Sequence, residues 1–164
     1  MHKLQPNSRH CFACGLENNY GLKLRFFNTA PGEVTVNYTV PERYQGYPGI
    51  VHGGITTAIL DEVAGRAQLG GDPNRLMFTA KLEIRFRKNV PVGKPLRIVG
   101  RVEKTKKRMA SSVGMIYGPE GDLLVEAKAL LVDLPEDGIK DEDFAALGWR
   151  VYDDAEIQEM SDEL

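Results

Sequence analysis

The sequence predicts an α+β fold in which one antiparallel sheet wraps a single helix. Two observations carry this. Residues 54–68 set Ile55, Ala58, Ile59, Val63 and Ala67 on one stripe at helical spacing. From 76 to 134 the chain reads as consecutive strands joined by short turns, which pair antiparallel. A lone helix with an apolar stripe has to bury it, and the apolar face of the sheet is the partner available.

Each element has its own signal. "GLKLRFF" (21–27) and "EVTVNYTV" (33–40) alternate apolar and polar residues and read as strands, with "NTAPG" as the turn between them. "PERYQGYPG" (41–49) is loop by its two prolines and two glycines, and "GGDPN" ends the helix. In "LMFTAKLEIRFRK" (76–88), Phe78, Ala80, Leu82, Ile84 and Phe86 share one face, and Thr79, Lys81, Glu83, Arg85 and Arg87 the other. After the loop "NVPVGKP" come "LRIVGRVEKTKK", "MASSVGMIYG" and "DLLVEAKALLVDL", the last two joined by the hairpin signal "PEG". A short helix is expected near "DEDFAALGW".

With 164 residues, 42% hydrophobic and 27% charged, the chain has the profile of a soluble globular protein with its own core. No run of about 18 apolar residues is present, so no membrane span is expected. "MHKLQPNSRH" lacks a signal-peptide core, so a cytoplasmic location is expected. The net charge of −2 is unevenly spread. Residues 135–164 hold eleven acidic side chains against Lys140 and Arg150, leaving twelve acidic and nineteen basic residues in 1–134. The expected organisation is a body over 1–134 and an acidic tail over 135–164. A basic body attracts an anionic ligand, a phosphorylated cofactor or nucleic acid; a tail folded back on the body is the plainer reading.

Cys11 and Cys14, in "HCFACG", are the only cysteines. One C-x-x-C supplies two thiolates where a structural zinc takes four ligands. A redox C-x-x-C opens a helix, whereas "ENNYG" here reads as turn. No metal is expected; a structural turn over 11–21 is.

"GIVHGGITTAILDEVAG" (49–65), "TAKLEIRFRKNVPVGKPL" (79–96) and "CFACGLENNYGLKLRF" (11–26) together resemble the hotdog-fold acyl-CoA thioesterases of the phenylacetic-acid-degradation type, 4-hydroxybenzoyl-CoA thioesterase-like proteins among them. The resemblance spans about residues 11–134. In the last of these stretches Asn19 stands where such proteins commonly have proline. The resemblance implies a hotdog fold, an acyl-CoA substrate, no cofactor beyond the coenzyme A of that substrate, and the polarising amide at Gly53.

Thioester hydrolysis needs a polarised carbonyl and a carboxylate that attacks it or activates water. The leading amides of a helix lack partners and carry the positive end of the dipole. Gly53 and Gly54 let a carbonyl approach them without a Cβ in the way. Asp61 is the candidate carboxylate, because Ala58, Ile59, Leu60, Val63 and Ala64 leave it on a narrow polar strip. The alternatives are a solvated Asp61 on an outer face, or Glu62, rotated by about 100°. By resemblance His52 shapes the loop rather than acting as a base, and Thr79 supplies a small hydroxyl near the reacting centre; Gly46 stands where an asparagine is usual, so either Gln45 substitutes for it or the function is altered. Packing and β-propensity are the alternatives for His52 and Thr79.

Gly53 and Asp61 stand about 12 Å apart along one helix, too far to serve one carbon. Two antiparallel copies remove the difficulty, which predicts a homodimer, with a dimer of dimers open, and sites shared between chains. Arg85, Arg87, Lys88, Lys104, Lys106, Lys107 and Arg108 are the candidates for the phosphates of coenzyme A. Nucleic acid is not expected, since no stacking-aromatic or recognition-helix pattern is present. A non-catalytic acyl-CoA sensor or carrier remains the alternative function. A hotdog dehydratase ranks below both, because only His2, His10 and His52 are available.

Overall fold

The computed structural model describes residues 3–70, 75–135 and 138–162. Seven strands form one antiparallel sheet: β1 (Lys3–Leu4), β2 (Phe27–Ala30), β3 (Glu33–Thr39), β4 (Met77–Phe86), β5 (Pro95–Thr105), β6 (Met109–Tyr117) and β7 (Leu123–Asp133). Their order is β1-β2-β3-β5-β6-β7-β4, so β4 lies at an edge and, among the described residues, pairs with β7 alone. The long helix α1 (Gly53–Leu69) lies in the curve of the sheet, burying Ile59, Leu60, Val63 and Ala67 against Val34, Val36, Ile98 and Ile116. The expected α+β hotdog architecture is the observed one.

Two paired glycines let the helix settle. Gly100 of β5 and Gly114 of β6 are opposite each other in the ladder. A Cβ at Gly100 would run into the Val63 carbonyl, and one at Gly114 would lie 3.1 Å from the Leu60 carbonyl oxygen. The backbone of α1 therefore rests directly on the strands there, closer than side chains on both surfaces allow.

The expected strand over 21–27 is corrected: only Phe27 belongs to a ladder, and β2 runs on through Asn28 to Ala30. The alternation was sound, since Leu22, Leu24 and Phe26 are all buried. However, Lys23 turns to φ 53°, and the flanking amides of Leu22 and Leu24 donate to the carbonyls of Phe12 and Ala13. The N-terminal turn, not a neighbouring strand, satisfies this backbone. The single face expected on β4 is corrected too, because the ladder to β7 shifts register between Thr79 and Lys81 and separates Phe78 from Leu82, Ile84 and Phe86. Phe78 and Phe86 are each 55% exposed, while Leu82 and Ile84 are half-buried.

Beyond β7, α2 (Asp141–Leu147) fills the expected helical stretch and ends at Gly148 in the left-handed region, φ 63°. Its successor α3 (Asp154–Asp162) was not expected. Its start carries a reciprocal cap: the Glu156 amide donates to Asp153 Oδ1 (2.8 Å) and the Asp153 amide to Glu156 Oε2 (3.1 Å). That D-x-x-E pattern was the readable signal. Between the two helices the chain returns to the body. Asn7 and Arg150 exchange backbone hydrogen bonds, and Tyr152 is buried. Among the described residues no helix is long and apolar enough to cross a membrane.

Candidate active site

The helix start is built by its own cap. His52 stands at the N-cap and its Nδ1 accepts from the Gly54 amide at 3.0 Å. Nδ1 is thus the acceptor nitrogen of the ring, and Nε2 points away from the cap. The His52 amide donates to the Tyr44 carbonyl and the Val51 amide to the Val90 carbonyl, so the entry strand is held from both sides. The Gly53 amide finds no acceptor among the described residues. Above it there is only light cover, with Phe86 Cζ 3.8 Å from where a Cβ of Gly53 would stand. Gly54, by contrast, has its amide occupied by His52.

Gly46 packs on the same histidine. A Cβ there would lie 3.2 Å from His52 Cα and 3.5 Å from Cδ2. Its neighbour Gln45 uses its amide oxygen to accept from the Gly49 amide at 3.2 Å, inside its own loop.

Two turns further along α1, Asp61 is half-buried, and its Oδ1 is buried with no hydrogen-bond partner among the described residues. An unmet carboxylate oxygen away from water costs several kcal/mol if nothing ever reaches it, about 1–3 even for neutral polar groups. It borders a cavity of about 490 Å³ that Gly65, Arg66, Phe78, Thr79 and Trp149 also line. The structure thus brings Asp61 and Thr79 to one cavity. His52, Gly53, Gly54 and Gln45 line no part of it.

Glu62 also borders this cavity, but its carboxylate is committed. It pairs with Arg66 at 2.9 Å, and Arg66, only 4% exposed, also donates to the Pro6 carbonyl. The guanidinium lies between the rings of Phe26 (4.6 Å) and Trp149 (4.7 Å). Arg66 and Trp149 were not among the candidates. A buried arginine gives no periodic signal, and Trp149 lies in the acidic tail, far along the chain from the helix it covers. The proposed phosphate ligands are partly committed: Arg87 pairs with Glu126 (2.6 Å) and Lys88 with Asp122 (2.8 Å).

The Cys11 and Cys14 thiols and a Glu62 carboxylate oxygen lie within 4.8 Å of one another, the one grouping of three such donors among the described residues.

Residues 48–125, which include His52, Gly53, Asp61 and Thr79, match the family model described as the thioesterase superfamily. Over that stretch, just under half of the chain, the protein resembles the thioesterase superfamily. Acyl-coenzyme A thioesterase THEM4 of Rattus norvegicus is 27% identical over 135 residues, 81% of this chain and 57% of that one. A solved thioesterase superfamily protein is 31% identical with a TM-score of 0.71, over 76% of this chain and 61% of its own. A third relative, smu.793 of Streptococcus mutans, was solved bound to acetyl CoA. It shares the fold at 18% identity and a TM-score of 0.62, over 68% of this chain and 88% of its own. The chain spans about three fifths of the length of the first two relatives. Both the cysteine turn and Trp149 lie outside the stretch matched to the thioesterase superfamily model.

Proposed function

We propose that the chain hydrolyses an acyl-CoA thioester to the free acid and coenzyme A, in sites shared by two antiparallel chains. One observation carries this reading: Asp61 lines a cavity large enough for an acyl group and has a carboxylate oxygen left without a partner among the described residues. The kinship with acyl-coenzyme A thioesterase THEM4 supports the substrate class.

In the proposed site the thioester carbonyl accepts from the Gly53 amide, whose hydrogen bond strengthens as charge gathers on that oxygen. Asp61 of the other chain either attacks the carbonyl carbon, forming a mixed anhydride that water then hydrolyses to the free acid, or takes a proton from a water that attacks directly. The carbon–sulfur bond breaks, and the coenzyme A thiolate leaves and is protonated. His52 keeps the Gly53–Gly54 turn in place, and Thr79 offers a hydroxyl to the water or the acyl oxygen.

The free edge of β4 supports the pairing. Its exposed rings lie toward its two ends, Phe78 beside the Asp61 cavity and Phe86 over Gly53. Antiparallel pairing of two β4 edges sets the Phe86 end of one strand beside the Phe78 end of the other. Gly53 then approaches the partner's Asp61, and both exposed rings are covered.

The test is thiol release from short, medium, long and aromatic acyl-CoAs by the wild type and by Asp61→Asn. A loss of about 10²–10⁴-fold in kcat is expected for the variant. Equal turnover by both proteins removes Asp61 from the chemistry. Tight acyl-CoA binding by the wild type without any turnover favours the sensor or carrier reading, for which Gly46 in place of the usual asparagine is the motive.

A further inference from the structure

The C-x-x-C stretch is left unused by thioester hydrolysis, yet the fold builds it with care. Residues 11–15 close one turn through the Gly15 amide and the Cys11 carbonyl at 2.8 Å. A Cβ at Gly15 would collide with the backbone of Cys11, so the turn closes this tightly only with glycine there. Asn7 holds it from outside, donating to the carbonyls of Cys14 (2.6 Å) and Leu24 (2.8 Å). Ser8 Oγ accepts from the Cys11 amide at 3.2 Å and lies 3.6 Å from Cys14 Sγ.

The two sulfurs are unequal. Cys11 is half-buried and its Sγ accepts from the Cys14 amide at 3.5 Å. Cys14 is 2% exposed. Hydrogen bonding from the Cys14 thiol, then from nearby amides, draws the Cys11 thiol down to about 6 against the opposing pull of burial and of Glu62. The same hydrogen bond and burial push Cys14 up, with Arg66 pulling the other way. Cys11 is thus the reachable sulfur, drawn toward the thiolate, and Cys14 the enclosed one, the division of labour in an exchanging C-x-x-C.

A bound cation fits less well. The carboxylate of Glu62 is already neutralised by the buried Arg66 guanidinium 2.9 Å away, which would face any dication held there. Three donors are also one short of a structural zinc set.

We propose that Cys11 and Cys14 are a redox-active dithiol that exchanges with low-molecular-weight disulfides, Cys11 as the attacking sulfur and Cys14 as the resolving one. The Cys11 thiolate attacks one sulfur of the external disulfide, whose S–S bond breaks to release a thiolate. Cys14 then attacks Cys11 Sγ in the mixed disulfide and releases the second external sulfur, which leaves with the proton Cys14 carried. Two protein thiols are oxidised to one disulfide, and one external disulfide is reduced to a thiol and a thiolate.

The experiment incubates the reduced full chain with glutathione disulfide, then alkylates it and measures intact mass. The wild type is expected to lose both free thiols with no glutathione attached. Cys14→Ser is expected to hold one glutathione on Cys11, and Cys11→Ser to react at least about ten-fold more slowly. Both wild-type thiols staying free under excess glutathione disulfide overturns the proposal. So does stable glutathione on both cysteines, or one zinc per chain whose removal is needed before either thiol reacts. The wild-type result stands by itself if a serine variant fails to fold.

Discussion

Gly100 on β5 lies so close beneath α1 that its missing Cβ would occupy the place of the Val63 carbonyl oxygen. Backbone meets backbone there, so no rotamer change relieves an added methyl. Gly100→Ala is expected to lift the helix from the sheet and cost about 3 kcal/mol, the upper end of overpacking penalties. Gly114→Ala, whose Cβ would sit 3.1 Å from the Leu60 carbonyl, is expected to cost less. Urea unfolding of the two variants checks the order.

The helix and the four strands after it were legible because each repeats its period over nine or more residues. Asp61 was legible as one charge among apolar neighbours. What escaped reading depends on contacts between distant segments. Leu22, Leu24 and Phe26 alternate like a strand, yet their backbone is satisfied by the N-terminal turn. Phe78 and Phe86 alternate with Leu82 and Ile84 in sequence, yet a register shift between Thr79 and Lys81 separates Phe78 from that face, and Phe86 ends the strand exposed over Gly53. Trp149 reaches the Asp61 cavity from nearly ninety positions away in sequence, a closure that no local pattern encodes.

If Gly53 and Asp61 work in trans, damaging each in a different chain leaves one complete site per mixed dimer. Gly53→Pro is the cleanest way to delete the amide, because proline is tolerated at the first helical position. His52, at φ −58° and ψ 135°, already has the extended backbone that a following proline requires. Gly53→Pro is expected to lower kcat by about 10²–10³-fold. Exchanging it with Asp61→Asn at equal amounts should restore about a quarter of wild-type turnover, since half the dimers are then mixed with one sound site each. No recovery in subunits shown to exchange refutes the shared site.

Trp149 covers Arg66 on one side and the Asp61 cavity on the other. Trp149→Ala is expected to cost about 1–2 kcal/mol through the lost ring–guanidinium contact. It also opens the cavity to water, so KM for acyl-CoA is expected to rise more than kcat falls. Thermal unfolding and steady-state kinetics on the same preparation separate the two effects.

The dithiol makes stability depend on pH in a stated direction. Cys11 titrates near 6 in the folded chain against an ordinary 9.0, so the unfolded chain binds more protons between those values. Its contribution is complete above 9 and is lost as pH falls through 6. Cys14 is shifted upward, so its contribution is present below 9 and is lost as pH rises beyond it. Stability of the reduced protein is therefore expected to climb from pH 6 to 9 and to decline above. Cys11→Ser should flatten the climb while leaving any slope due to other groups. Urea midpoints of the two proteins at pH 6.5 and 8.5, under a non-thiol reductant, provide the comparison. Equal slopes in both would show that Cys11 is an ordinary thiol, held in its turn for packing alone.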